Sequence, residues 1–320
     1  MYIAPVPELP NPVYWSIPAF VGLLALELWV ARRRGGGLHE RRDTLTSLGL
    51  GMGSLVAGLL SGGLVIALSV GLYDYRLLEI GYVWWAFALC FVLDDFLYYL
   101  FHRSAHRVRW FWASHVVHHT SERYNLSTAL RQTWTGFLSL NFLFRLPLLL
   151  IGFPPPLVFF CAGVNLVYQF WIHTETIGRM PRWFEAVMNT PAHHRVHHAI
   201  NPRYLDKNYA GVFIVWDRMF GSFEPERDED RPRYGTVTPL GTYNLFRAAF
   251  HEWIGMARDF ARAPGLGAKL SYLVREPGWS HDGSRETSEM IRTRWRRESG
   301  VEGEPQPGSG PAGLVEAAGP

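Results

Sequence analysis

Charged residues are scarce in this chain of 320 residues. Asp, Glu, Lys and Arg make up 18% of it, against about a quarter of an average soluble domain, while apolar residues reach 48% and aromatic residues 15%. The net charge of +3 and the sequence pI near 8.9 are too small to indicate a nucleic-acid-binding protein. The composition predicts a chain partly surrounded by lipid, and the mild basic excess suits anionic headgroups.

Cysteine is also scarce, which excludes a cysteine-ligated metal site. Cys90 and Cys161 both lie in apolar stretches, and we expect two buried thiols rather than a disulfide. A cleavable signal peptide is not evident either, because the first ten residues carry no basic segment and the first apolar stretch is followed by three arginines, 32–34. We therefore expect this stretch to be retained as a transmembrane helix.

The chain is instead rich in long apolar stretches. A membrane span needs about 20 apolar residues, and the last two stretches are separated only by a helix breaker, Gly-Phe-Pro-Pro-Pro at 152–156, which predicts a hairpin. The fold class we predict is an all-α integral membrane protein with four to five transmembrane helices. The stretches are residues 13–30, 44–73, 82–101, 133–151 and 157–172.

The distribution of arginine predicts the orientation. Arginine is concentrated in the segments 32–42 and 103–131, whereas the loop between the second and third stretches holds a single arginine, Arg76, offset by two acidic residues. Alternating the spans brings the Arg-rich segments to one side, which the positive-inside rule makes cytoplasmic. The N-terminus is then outside, and everything after residue 175 is cytoplasmic. The membrane would be a bacterial inner membrane or an ER-like membrane.

Four regions follow from these patterns. We expect an N-terminal transmembrane helix and basic loop at 1–43, the membrane domain at 44–225, a cytoplasmic or interfacial helical segment at 226–282 and a disordered tail at 283–320, which is rich in Gly, Pro, Glu and Arg. Within the third region, residues 240–262 predict an amphipathic helix. It lies flat on the membrane surface or packs on the rest of the domain, and the pattern does not decide between them.

Histidine is the chemically informative residue. Residues four apart on a helix share a face, so His-x₃-His and His-x₂-His-His patterns offer two or three imidazoles to one centre. A tetrahedral ion uses only four protein ligands, so this number of histidines predicts two metal ions in a cytoplasmic helical cap. The candidate ligands are His102, His106, His115, His118, His119, His173, His194, His197 and His198.

A single histidine pair at this spacing is usually an ordinary surface feature. Three repeats of it on one predicted side of a membrane are not explained in that way. The remaining histidines, His39, His251 and His281, match no cluster, and we expect them to be solvated. His193 precedes the last cluster and is left open as a ligand, a neighbour of one or a packing residue.

Two carboxylates are candidate catalytic residues. Asp95 lies seven residues before His102, on the same helical face, and we expect it to accept the free N–H of a metal-bound imidazole. The alternative is a salt bridge, with Arg145 as a candidate partner. Glu175 and Asp206 are similar candidates with weaker support, and Glu175 is counted with Asp95 as a candidate catalytic residue.

The order of these motifs resembles the fatty acid hydroxylase and sterol desaturase superfamily. The segments 95–103, 169–175, 189–198 and 208–223 are most similar to its alkylglycerol monooxygenase branch. The resemblance implies two non-haem irons, held by the nine histidines, which use O₂ to hydroxylate a membrane lipid. In that branch the reductant is tetrahydrobiopterin, and hydroxylation of the ether-linked carbon cleaves alkylglycerol lipids.

Other functions remain open at this stage. A sterol or fatty acyl desaturase or hydroxylase of the same superfamily would share the metal site, and a metal transporter or a zinc hydrolase is a more distant alternative. We find no cytochrome b5 domain and no flavin or nicotinamide motif, so electrons must come from a separate donor or a diffusible reductant. The Glu-x-x-His helices of soluble carboxylate-bridged di-iron proteins are also missing.

Overall fold

Helices form the regular structure of the protein, which we analysed as a computed structural model that describes residues 8–300. Within that range, β-structure is limited to isolated bridges such as the one between Met188 and Phe213. A short 3₁₀ helix covers Asn141–Arg145. The α-helices are α1 Pro12–Arg33, α2 Arg41–Tyr73, α3 Trp84–Arg107, α4 Arg109–His119, α5 Leu126–Ala129, α6 Leu146–Ile151, α7 Pro155–Trp171, α8 Arg182–Val187, α9 Pro191–His197, α10 Val215–Met219, α11 Leu245–Arg262, α12 Gly265–Val274 and α13 Ser288–Ser299.

Helices α1, α2 and α3 are long and apolar enough to cross a membrane. At 1.5 Å per residue the 33 residues of α2 extend over about 50 Å, which is more than a hydrocarbon core of about 30 Å requires. Large apolar side chains on α2, such as Leu59 and Leu60, are at least three-quarters exposed. Such exposure of large apolar side chains is typical of a lipid-facing surface and is consistent with the predicted membrane protein.

The fourth apolar stretch, residues 133–151, does not form one helix. It consists of turns, the 3₁₀ helix and the six-residue α6, because Leu140 adopts a left-handed φ of 57° and Pro147 has no N–H to donate. Part of it packs inside the protein, where Leu148 and Leu149 are almost fully buried, whereas Leu138 and Leu143 are exposed. Apolar composition alone does not distinguish such a packed segment from a span.

Helix α7 covers the fifth apolar stretch, and the chain breaks before it as predicted, although Pro155 and Pro156 of the predicted breaker form the first turn of α7. Its 17 residues are packed against α1 and α3, and the Phe170 ring stacks on that of Phe20 at 4.1 Å. The thiols of Cys90 on α3 and Cys161 on α7 are free and buried, as expected. The described residues therefore contain three long apolar helices and a shorter packed one.

Buried acidic residues connect the long helices to the segments between them. Asp94 of α3 forms an ion pair with Arg145 at 2.6 Å, the partnership that the sequence analysis had considered for Asp95. Asp43 of α2 pairs with Arg131 at 2.5 Å. Glu27 of α1 accepts the amide N–H of Leu126 at 2.8 Å. Each of these contacts joins a long helix to a segment distant in sequence.

The C-terminal region differs from the disordered tail expected from residue 283. Residues Ser288–Ser299 form α13, and the Arg292 guanidinium, which is 5% exposed, donates to the Leu205 carbonyl at 2.7 Å. The Arg203 guanidinium also lies 5.0 Å from the centre of the Trp295 ring. A polar segment is ordered here by tertiary contacts that composition does not reveal. Residues 301–320 of the expected tail lie outside the described residues, and the division into four regions stays a prediction.

Close packing of α2 gives a test of the fold. A Cβ on Gly53 would lie 2.2 Å from the Trp134 indole nitrogen, whereas one on Gly58 of the same helix would meet nothing within 4 Å. We expect Gly53→Ala to lower the free energy of unfolding by about 1–3 kcal/mol because Trp134, which donates to the Leu50 carbonyl, must move. Thermal unfolding of the purified protein in detergent measures this.

Gly58→Ala is the matched control. It adds the same methyl group to the same helix without a clash, so we expect it to be neutral or to stabilise by up to about 1 kcal/mol. Equal midpoints for the two variants would contradict the packing described here.

Candidate metal centre

Two adjacent groups of histidines form the centre of the protein. Within each group the nearest ring nitrogens all lie within 4.8 Å of one another, and most of the side chains are buried. The structure brings the nine candidate ligands of the sequence analysis together in these groups. The five-histidine group contains His102, His106, His115, His119 and His197, and the four-histidine group contains His118, His173, His194 and His198.

Each His-x₂-His-His pattern serves both groups. In α4, His115 and His119 share a helical face and belong to the five-histidine group, whereas His118 belongs to the other. At the end of α9 the assignment is reversed: His194 and His198 belong to the four-histidine group and His197 to the five-histidine group. Because consecutive helical residues point in different directions, one short pattern supplies ligands to two neighbouring centres.

The remaining ligands come from the ends of two long helices. His102 and His106 occupy the last turns of α3, and His173 follows the end of α7. The His102 Nε2 atom lies 2.9 Å from the His115 Nε2 atom. In the other group, the His173 Nε2 atom lies 3.0 Å from those of His118 and His194.

Backbone carbonyls hold the opposite nitrogen of four rings. In a neutral imidazole that donates through Nδ1, Nε2 carries a lone pair and no proton. The acceptors therefore fix both the orientation of the rings and the tautomer suited to metal binding. The Nδ1 contacts are His102 with Tyr209 O at 2.7 Å, His197 with Lys207 O at 3.0 Å, His173 with Gln169 O at 2.7 Å and His118 with Arg131 O at 3.2 Å.

The nitrogens that face one another fit a metal and not a hydrogen-bond network. His118 and His173 both donate through Nδ1, so their Nε2 lone pairs, 3.0 Å apart, have no proton to share. The Nε2 atoms of His106 and His197 are buried without a hydrogen-bond partner. A cation between the rings would satisfy these atoms, and imidazole donors suit iron and other transition metals.

Burial also favours the form of histidine that binds metal. Burial, followed by the neighbouring histidines, places the pKa of His115, His119 and His194 well below the usual histidine value. The pKa of His118 falls to about 4, mainly through burial. Since only a neutral imidazole is a ligand, these histidines do not need to lose a proton near neutral pH before they bind.

We expected Asp95 to accept a histidine N–H, but it has other partners. Its oxygens accept the amide N–H groups of Val212 at 2.8 Å and Phe213 at 3.0 Å, and the indole N–H of Trp216 at 2.9 Å. The Asn165 side chain donates to it as well, at 2.9 Å. The sequence spacing placed Asp95 on the correct helical face, but backbone amides of a distant loop use its acceptor capacity.

Of the other two candidate carboxylates, Asp206 lies beside a candidate ligand and Glu175 does not. The Asp206 Oδ1 atom lies 3.5 Å from the His106 Nδ1 atom, so this residue supplies the carboxylate beside a candidate ligand. Glu175 is exposed and accepts the Tyr234 hydroxyl at 2.9 Å. The Tyr234 ring stacks on that of Tyr124, which in turn stacks on His173, so Glu175 is two aromatic rings away from a ligand.

The other histidines lie outside both groups. His193 is buried 5.3 Å from the Phe223 ring, and burial lowers its pKa to about 3. His39 is not solvated as expected, since its side chain is 9% exposed and approaches the buried Glu27 at 3.1 Å. His251 contacts the Ala248 carbonyl, and His281 contacts the Tyr272 hydroxyl.

Sequence reasoning missed the residues that support the ligands from behind. Asp217 is fully buried and accepts the amide N–H groups of Tyr209 and Ala210, each at 2.8 Å. Neither spacing nor composition signals this role, because the supported groups belong to the backbone. The only signal was the resemblance of the segment 208–223 to known sequences.

Comparison with known proteins identifies relatives of the chain. The fatty acid hydroxylase family model matches residues 87–222, which include all nine candidate ligands. The alkylglycerol monooxygenase of Danio rerio is 40% identical over 283 residues, 87% of this chain and 62% of that protein. Its Homo sapiens counterpart is 38% identical over 279 residues, 85% of this chain and 61% of that protein.

A more distant relative is a cholesterol 25-hydroxylase-like protein of Danio rerio, 31% identical over 156 residues, 44% of this chain and 57% of that protein. The chain spans about three-fifths of the length of the alkylglycerol monooxygenases just described. No solved structure matches it. The resemblance predicted from the histidine pattern is confirmed by these relatives.

Metal analysis tests the two groups. We expect His106→Ala to lower the bound metal from about two ions per chain towards one, because it removes a ligand of the five-histidine group alone. Elemental analysis of the purified full-length protein measures the content. The control is His251→Ala, which removes a histidine from α11 and should leave the metal content unchanged. Equal metal loss in both variants would contradict the grouping.

Proposed function

We propose that the chain is a membrane-embedded dinuclear iron lipid monooxygenase, because its residues 87–222 match the fatty acid hydroxylase family model and it is similar to alkylglycerol monooxygenases. The observation that carries the proposal is the pair of histidine groups, in which the Nε2 atoms of His118 and His173 face one another without a proton to share. The nine histidines would hold two irons, which supply O₂ activation when bound. One oxygen atom enters a C–H bond of the lipid, and two electrons and two protons reduce the other to water.

The residues of the chain supply position and exclusion of water. Carbonyls of Tyr209 and Gln169 fix the rings of His102 and His173, so these ligands need little reorganisation when metal binds. Burial of the ligands separates the site from bulk water, which protects reactive species from side reactions. The apolar segments around the site would guide an alkyl chain towards it.

The proposed orientation places the site at the cytoplasmic face of a multi-pass membrane protein. Helix α3 leads directly from its apolar part to His102 and His106, so the site lies at one end of a span. Basic segments gather at the same end: Arg34 donates to the Thr176 carbonyl at 3.5 Å, and Arg123 donates to the Gly37 carbonyl at 3.4 Å. This clustering supports the positive-inside assignment, with a bacterial inner membrane or an ER-like membrane as the location.

Helix α11 would lie in the membrane interface beside the site. An open groove of about 830 Å³ follows its exposed face, with Phe246 and Ile254 among its apolar residues and Arg247 and Arg258 among its basic ones. The Leu245 side chain of α11 lies against Gly49 of α2, so the helix that carries the groove packs on a spanning helix. Lipid tails with a polar or anionic headgroup match this combination of apolar and basic side chains.

The proposed substrate is an alkylglycerol ether lipid, hydroxylated at the ether-linked carbon. The electrons would come from tetrahydrobiopterin or from a separate donor protein. Sterols and fatty acyl chains are the second candidate class of substrate, because one relative is a cholesterol 25-hydroxylase-like protein. The reaction would then be a hydroxylation or a desaturation. A metal transporter is less compatible with ligands gathered at one end of α3 than with ligands along a pathway.

A substrate panel distinguishes these reactions. We expect the iron-loaded full-length protein to convert an alkylglycerol to a fatty aldehyde and glycerol when O₂ and tetrahydrobiopterin are present, as measured by mass spectrometry. Sterols and fatty acids are incubated in parallel, where a gain of oxygen indicates hydroxylation and a loss of two hydrogens indicates desaturation. His197→Ala protein and anaerobic samples are the controls. Product formation without O₂ would rule out the proposed reaction.

A charge in the α11 groove tests its contact with lipid. Ile254 is 53% exposed, and Ile254→Asp should raise the apparent KM for a substrate presented in vesicles several-fold, because it places a carboxylate against the headgroups. The kcat should remain unchanged. Met290→Asp on α13, where Met290 is 48% exposed, is the control and should leave both constants at their normal values. An unaltered KM for Ile254→Asp would show that this face does not meet the membrane.

A further inference from the structure

We propose that the loop 205–210 is the positioning element of the five-histidine group, so that this group can be weakened while the four-histidine group is left intact. The inference rests on the dinuclear centre proposed above. Three of the five histidines meet this loop through the ring nitrogen Nδ1. The contacts are His106 with the Asp206 carboxylate at 3.5 Å, His197 with the Lys207 carbonyl at 3.0 Å and His102 with the Tyr209 carbonyl at 2.7 Å.

The path of the loop needs support from its surroundings. Asp206 and Asn208 have φ values of 56° and 55°, in the left-handed region that few residues other than glycine adopt. Aspartate and asparagine tolerate this region best among the remaining residues, yet it still costs conformational energy. The loop therefore holds its shape only while its neighbours fix it.

Asn208 supplies the first support. Its side-chain amide is fully buried and donates to the His193 carbonyl at 3.0 Å and the Glu224 carbonyl at 2.8 Å. The amide oxygen accepts the Glu224 N–H at 2.8 Å. One side chain thus ties the loop both to the start of α9 and to the segment after α10.

Asp217 supplies the second support, directly behind a ligand. Its two oxygens accept the N–H groups of Tyr209 and Ala210, and Ser222 donates to it at 2.7 Å. The Tyr209 residue held in this way presents the carbonyl that receives His102. Asp217 touches neither a histidine nor the space between them, so it is a positioning residue.

A third support comes from outside the site. Arg292 of α13 donates to the Leu205 carbonyl at 2.7 Å, immediately before the left-handed residue Asp206. The guanidinium is buried, so its contact with this carbonyl is shielded from water. The loop is therefore held at its start, at its middle and at its end.

Two members of the four-histidine group are oriented by other parts of the chain. His118 meets the Arg131 carbonyl, just after α5, and His173 meets the Gln169 carbonyl one turn earlier in α7. Neither acceptor belongs to the loop. Loosening the loop should therefore change the metal affinity of one group and spare the other.

Titration of Co²⁺ into the metal-free full-length protein in detergent tests this, with visible absorption and elemental analysis as readouts. We expect the natural protein to bind two ions per chain. Asp217→Asn keeps the size of the side chain but replaces one acceptor oxygen by a donor, so one loop N–H loses its partner. We expect the Kd of one ion to rise about 10–100-fold, as is typical when a group supporting a ligand is lost, and the other Kd to stay unchanged.

Asp94→Asn is the matched control. It alters another fully buried carboxylate, whose partner is Arg145 and not the loop. It should lower thermal stability and keep both Co²⁺ affinities. Arg292→Ala, which leaves the inner supports in place, should weaken the same single ion as Asp217→Asn, by a smaller factor, and serves if Asp217→Asn does not fold.

The outcomes separate the two proposals. Natural protein that binds fewer than two ions overturns the dinuclear centre and this inference with it. Two ions in the natural protein, with both affinities lowered equally or neither lowered by the loop variants, overturn the positioning role alone.

Discussion

The structure depends on keeping nine histidines together in two groups, within each of which the nearest ring nitrogens lie within 4.8 Å of one another. Where two facing rings both donate through Nδ1, as His118 and His173 do, the arrangement is unfavourable without a cation, because the two Nε2 atoms have no proton to share. The rings can hold it only if their other nitrogens are fixed. Backbone carbonyls do this for four of the nine rings, and the chain must therefore bring part of α7, the segment just after α5 and the loop 205–210 to fixed positions around the site.

Buried carboxylates fix the backbone that fixes the rings. Asp95 and Asp217 hold successive amides between residues 209 and 213, and Glu27 holds the amide of Leu126. An ionised group in a low-dielectric interior needs several donors, and a loop without regular structure has unpaired N–H groups to offer. Glu27 and Asp95 thus connect the long apolar helices α1 and α3 to the segments around the candidate metal centre. They bind the backbone of these segments and not the side chains of the candidate ligands.

The gathering of the nine candidate ligands was predictable because their spacing is local. Helical spacing brings His115 and His119 to one face whatever the rest of the chain does, and arginine content indicates the side of the membrane on which such patterns lie. Asp95, by contrast, was assigned to the wrong partner, because spacing identifies neighbours on the same helix and not the distant amides of Val212 and Phe213.

The remaining errors have related causes. Residues 133–151 have the composition of a span, yet Pro147 and the left-handed Leu140 break them into short pieces, of which α6 packs Leu148 and Leu149 internally. Helix α13 has the composition of a disordered tail, yet contacts of Arg292 and Trp295 order it. In each case the deciding interaction is tertiary.

The dependence of α13 on such contacts also has a consequence for biosynthesis. Because the ribosome makes this helix after every candidate ligand, the histidines can gather during translation, but the loop beneath Arg292 reaches its final shape only later. Metal loading would then proceed in two stages, with the four-histidine group able to mature first.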